Sequence, residues 1–126
     1  MATTTRAVLR QRLSELIGDY QSLTCTSDGN SAATTLISTG LLNLENGGDT
    51  DAFEGWYVYI TSGGNSGEER RVSSYAPADV SAPTITVEQA FSNAVDGSGA
   101  DAVTFELHRH RPTYKHNALS RAIEEV

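Results

Sequence analysis

The chain has 126 residues, a formal net charge of −7 and a single cysteine. That length makes one domain, 1–126, able to bury about two thirds of its unfolded surface. An internal disulfide is excluded, no run approaches the ~20 apolar residues of a membrane span, and the N-terminus shows no secretory signal.

Taken in chain order, the first expected element is a helix over 5–18. Thr5 can cap it, Leu9, Leu13, Leu16 and Ile17 form one apolar stripe, and Gly18 can end it in the left-handed conformation. Arg6, Arg10 and Arg12 avoid that stripe. Gln21 to Thr26 alternates, with Leu23 and Cys25 to one side, and reads as a strand. A turn at Ser27-Asp28-Gly29-Asn30 and a second strand at Thr34 to Ser38 suggest a hairpin. Leu41, Leu42 and Leu44 tether the next loop, Glu45 to Asp51.

The stretch from Gly55 to Tyr75 is the expected centre of the fold. Trp56, Val58 and Ile60 fall at period two and should share a core face, while Tyr57 and Tyr59 share the other. Such aromatic and β-branched composition suits a half-buried pleat, here a central strand. Thr61 to Gly67 contains three glycines and no apolar anchor, so it reads as the mobile tip of a long hairpin. Arg70, Val72 and Ser74 then alternate with Arg71, Ser73 and Tyr75 in the return strand.

Beyond a loop around Pro77 and Pro83, Thr84 to Val87 is a strand. Ile85 and Val87 share a face unless a bulge intervenes. Ala90 and Phe91 close one end of the core, Ser92 to Asp101 is a polar loop, and Val103 to His108 alternates with Val103, Phe105 and Leu107 inward. Pro112 ends that strand. Ala118, Leu119, Ala122, Ile123 and Val126 then mark a helix over 113–126. Glu124 and Glu125 at its unfavourable end suggest that it continues further. The expected fold is mainly β (α+β): a small antiparallel barrel or sandwich of about six strands, core 21–111, flanked by an N-terminal and a C-terminal helix.

No catalytic motif stands out. Glu106, His108 and His110 alternate on one strand face, with His116 nearby, and His-x-His can place two imidazoles on zinc. A solvated polar face with basic flanks is the commoner arrangement, so no metal and no cofactor is expected. Asp28-x-Asn30 and Asp49-x-Asp51 lack the spacing and closing Glu of a calcium loop and read as turns. Gly63 to Gly67 lacks the Gly-Lys-Ser/Thr ending of a phosphate loop. No Gly-x-Ser-x-Gly elbow accompanies the scattered Ser, His and Asp. Cys25 reads as inert. Tyr57 and Tyr59 could stack on a sugar, but a second core layer under a helix suits them better.

Charge is segregated. Residues 28–101 carry eleven acids against Arg70 and Arg71, a net of −9, while the two ends together are at +2. An acidic middle argues against nucleic acid lying across the β core. The basic residues Arg6, Arg10, Arg12, Arg109, Arg111, Lys115 and Arg121 would crowd one pole if the helices pair, and they are the expected partner-binding set. All of them except Lys115 are Arg, which is favoured for planar, bidentate contacts at interfaces, although the nucleotide composition of the source genome explains such a bias equally well.

Several stretches carry a family resemblance: Arg10-Gln11-Arg12-Leu13; Phe53 to Gly63; Gly67 to Tyr75; Thr84 to Phe91; and Phe105 to Arg109. In these the chain resembles the N-terminal region of virion structural proteins of tailed bacteriophages. The resemblance implies a structural protein of the head–tail connector or neck, the tail or the fibre attachment. It implies a homo-oligomer or a ring-bound subunit whose partners are other virion proteins. It implies a place in the virion after assembly in the host cytoplasm, and it offers no catalytic residue to carry over. The alternative from another class is a non-catalytic β module that binds carbohydrate or another ligand through Trp56 or the tyrosines. A metal-dependent hydrolase ranks third.

Overall fold

The computed structural model describes residues 20–77, 81–97, 102–109 and 111, together with Val8 and Asn117. The helices expected over 5–18 and 113–126 lie outside the described residues, apart from Val8 and Asn117, which are both helical.

Six strands form the sheet: β1 (Tyr20–Thr24), β2 (Thr35–Ile37), β3 (Tyr57–Ile60), β4 (Glu69–Ala76), β5 (Thr84–Val87) and β6 (Thr104–His108), with a 3₁₀ helix at Thr39–Asn43. They lie in the order β1-β6-β3-β4-β5-β2, every pair antiparallel, and curl into a half-barrel. The expected mainly β architecture and the central place of β3 both hold. Among the described residues no helix is long and apolar enough to cross a membrane.

The alternation located the strands but not all their partners. The expected hairpin between the first two strands does not form. Instead β1 pairs with β6, from Tyr20↔His108 to Thr24↔Thr104, and β2 pairs with β5. The linker explains this. It is too long for a tight turn, and Asn30 folds it on itself by accepting from the Thr34 amide at 2.9 Å while its own amide reaches the Thr35 hydroxyl. After Thr24 the Cys25 amide still bonds Val103 on the β6 side, whereas the Thr26 amide bonds Ile37 on β2. One bridge, Ser27↔Ile37, and the Ser38 hydroxyl donated to the Thr24 carbonyl at 2.6 Å then tie the two sheet edges together. The curl is drawn nearly shut at that end, which protects edges that would otherwise template pairing with other chains.

The core face carries Val58 and Ile60 opposite Leu107 and Phe105, with Leu36, Leu41, Val72, Ile85, Val87 and Val103 around them. Ile85 and Val87 share that face, with no bulge in β5. The bulge lies in β4, where Val72 opposes Val87 but Ser74 opposes Thr86. The extra residue turns Tyr75 inward, to 1% exposure, correcting the simple alternation expected there. Tyr75 stacks on Phe53 with centroids 4.7 Å apart and donates its hydroxyl to the Gly47 carbonyl. Its amide donates to Asp51 Oδ1 at 2.9 Å, and the Asp51 amide returns a bond to its carbonyl. The acidic loop 45–54 is therefore pinned to the barrel.

Two further expectations are corrected. The Thr61–Gly67 tip is not a free, mobile loop. Asn65 is 2% exposed, donates to the Asn93 carbonyl at 2.7 Å and accepts from the Asn93 amide at 2.9 Å. A polar anchor does what an apolar one would have done. Trp56 is half-buried at the margin of the core rather than inside it. Gly55, at φ 83°, turns the chain immediately before it, and Trp56 sits at the strand end with its ring edge-on to Phe53 at 5.1 Å.

Candidate docking surface

The sheet register assigns the opposite face row by row. Tyr57, His108 and Arg71 form one row; Tyr59, Glu106 and Glu69 form the next. Tyr57 and Tyr59 are half-buried. Glu106 and His108 overturn the expectation of a solvated polar face. They are 1% and 0% exposed, with His108 Nε2 2.9 Å from Glu106 Oε1. Their i, i+2 spacing puts both on one side of β6, and a buried carboxyl group must be met by a hydrogen-bond partner, which the imidazole supplies. His110 and His116 lie outside the described residues. Among the described residues no group of three or more His, Cys, Asp or Glu is placed to hold a metal ion.

The arginines divide by how fully they are used. Arg70 is structural. Its guanidinium donates to Glu68 at 2.8 Å and to the carbonyls of Glu69 and Ala90, and lies 5.3 Å over the Phe91 ring. Arg71 gives one N–H to Glu88 at 2.7 Å, in a pair whose side chains are 51% and 48% exposed. Such an open pair is worth at most about 1 kcal/mol. Arg109 lies 4.9 Å over the Trp56 ring, since one further step of the β3–β6 register brings those two residues opposite each other. Arg111 donates to Glu69 Oε2 at 2.7 Å.

Of the expected partner-binding residues, Arg109 lies over Trp56 just past the end of β6, and Arg111 reaches Glu69 at the start of β4. Arg6, Arg10, Arg12, Lys115 and Arg121 lie outside the described residues. Arg71 and Gln89 are not among the expected residues, and Tyr57 is expected only as a stacking or packing residue. They line a cleft of about 260 Å³ with Glu69, Arg70, Glu88 and Arg111. A signal for Arg71 existed, because Arg70 and Arg71 are the only bases in the acidic middle of the chain.

A second cleft, about 490 Å³, lies between the Gly63–Asn65 tip and Asp96, Ala102 and Val103. Its side chains are mostly small, and the polar atoms of Ser62 and Asn65 are already bonded to Thr104 and Asn93. Cys25 matches the inert reading. It is 2% exposed, and burial, with the Asp96 charge adding and a backbone hydrogen bond at Ile37 opposing, pushes its thiol up to about 12. Comparison with known proteins finds no matching family model, no matching curated protein and no matching solved structure.

Proposed function

We propose that this chain is a non-catalytic structural assembly protein of a tailed-phage virion. It is a docking module at the head–tail neck, the tail or the fibre base, and it works as a homo-oligomer or bound to a ring of other virion proteins. The observation that carries the docking part is the cleft that gathers Tyr57, Arg71 and Arg111 on one face of the sheet, with the Arg109–Trp56 pair on the other face at the same end of β3 and β6. Trp, Tyr and Arg are the side chains that most often anchor protein interfaces. Strands hold Tyr57 and Arg71 in place, so little ordering cost attaches to contact there. The virion part rests on the sequence resemblance, which spans most of the chain. The basic residues of the two ends, Arg6, Arg10, Arg12, Lys115 and Arg121, belong to the same docking set.

A carbohydrate-binding role needs an open aromatic face. Arg109 lies over the Trp56 ring and Phe53 meets its edge, which leaves Tyr57 as the better platform for that alternative. Incorporation into particles tests the proposal. Arg6→Glu with Arg10→Glu, and separately Arg109→Glu, should leave the isolated chain folded and exclude it from particles. Normal incorporation of both variants refutes the docking reading, and a positive glycan array with them would favour the alternative.

A further inference from the structure

We infer that the Tyr57–Arg71 cleft is a receptor for carboxylate side chains, and that its occupant is the acidic 45–54 loop of a second copy of this chain. The inference rests on the docking function proposed above and names its partner.

The cleft holds unused donors. Among the described residues the Tyr57 hydroxyl and the Gln89 side-chain amide have no hydrogen-bond partner, and Arg71 commits one N–H, to the half-exposed Glu88. A guanidinium presents five donors in a fixed fork, so Arg71 can take a carboxylate bidentately with its remaining N–H groups. Neighbouring Arg70 is the contrast, held on three sides by Glu68, the Glu69 and Ala90 carbonyls and Phe91. Each arginine lining the cleft faces a glutamate, Arg70 with Glu68, Arg71 with Glu88 and Arg111 with Glu69, so an incoming carboxylate is drawn by the open fork of Arg71 rather than by net charge.

The loop supplies what the cleft lacks. Between Arg12 and Arg70 the chain contains no Lys or Arg. Glu45, Asp49 and Glu54 are exposed and have no ion-pair or hydrogen-bond partner for their side chains among the described residues. They are presented rigidly. Successive turns close with the amides of Gly47, Asp49, Ala52 and Glu54 bonded three residues back, and Tyr75 clamps both Gly47 and Asp51. A preformed loop pays little ordering entropy on binding. A molecule at −7 repels its own copies unless acidic loops are matched to basic sites. Receptor and loop belong to the same chain, so copies join either reciprocally, as a pair, or head to tail, as a closing ring.

Sedimentation of the intact purified chain tests this. The expected result is self-association that weakens from about 0.01 M to about 1 M salt, as the Debye length falls from about 30 Å to about 3 Å. Arg71→Glu alone, or Asp49→Arg with Glu54→Arg, should each weaken association by about tenfold or more, while thermal melts stay close to wild type. Mixing the two variants should restore it, because each then offers the other a complementary patch. A wild-type chain that stays monomeric at low salt overturns the inference, as does association indifferent to both variants or mixed variants that fail to rescue. A monomer that still loses particle incorporation on Arg109→Glu would leave the docking function standing with another virion protein as partner. If inorganic phosphate competes while the loop variants have no effect, the cleft is a small-anion site instead.

Discussion

Replacing Asn65 by Ala removes the anchor of the hairpin tip. The side chain makes two well-formed bonds to the Asn93 backbone, donor at 2.7 Å and acceptor at 2.9 Å, from a position 2% exposed. Each such bond contributes about 1 kcal/mol net, so the substitution should cost about 2 kcal/mol, and more if the Asn93 groups stay dry. With an unfolding entropy near 2.1 cal/mol/K per residue, a chain of 126 residues gains about 0.26 kcal/mol per kelvin on unfolding. The melting temperature should therefore fall by about 8 °C. Differential scanning calorimetry measures it directly. Ser66→Ala, at an exposed neighbour in the same loop, is the control and should move it by no more than about 2 °C. Equal, small shifts for both variants would refute the view that the tip is packed onto the 91–96 segment.

Other consequences can be checked in the same preparations. His108→Ala removes the imidazole bonded to the buried Glu106 side chain and should cost roughly 3–5 kcal/mol, whereas Glu106→Gln, which keeps a polar group within reach of His108, should cost clearly less. Urea midpoints at constant slope would establish that order, and the reverse order would contradict the pairing. Cys25 should resist thiol reagents at pH 8 until the protein is unfolded, and rapid labelling of the native chain would show that its burial is not maintained. The pH dependence has a definite sign. The thiol's value is raised from 9.0 to about 12 on folding, so above pH 9 the unfolded chain binds fewer protons than the native one. Stability should then fall with rising pH between those values, by up to about 1.4 kcal/mol per unit from this group, and Cys25→Ala should flatten the slope. Burial also raises the Tyr75 phenol, adding loss of the same sign at high pH.

The sequence made the strands legible because burial on one face leaves a period of two: Val58 and Ile60, Ile85 and Val87, Val103, Phe105 and Leu107 are all buried. Partner choice was not legible, since periodicity says which face a residue takes but not which strand lies beside it. Gln21–Thr24 alternates equally well against β2 or β6, and the Asn30 turn that separates β1 from β2 is set by side-chain hydrogen bonds. The β4 bulge hid because Ser73 and Ser74 suit either face. The tip was misread because a glycine-rich stretch conceals the single buried amide of Asn65. Glu106 and His108 look solvated because each is polar alone, whereas in the fold their mutual bond helps to make burial tolerable. At the candidate surface, Arg109 and Arg111 were anticipated from charge segregation, but Arg71 and Tyr57 emerge only when β3 and β4 are paired.

The central claim, a docking module of a virion, is tested most directly by the native mass and symmetry of the complex that contains this chain in purified particles. The account predicts a multimer or ring bound to other virion proteins, released as salt rises. A lone monomer absent from particles, or one recovered only with bound glycan, would contradict it.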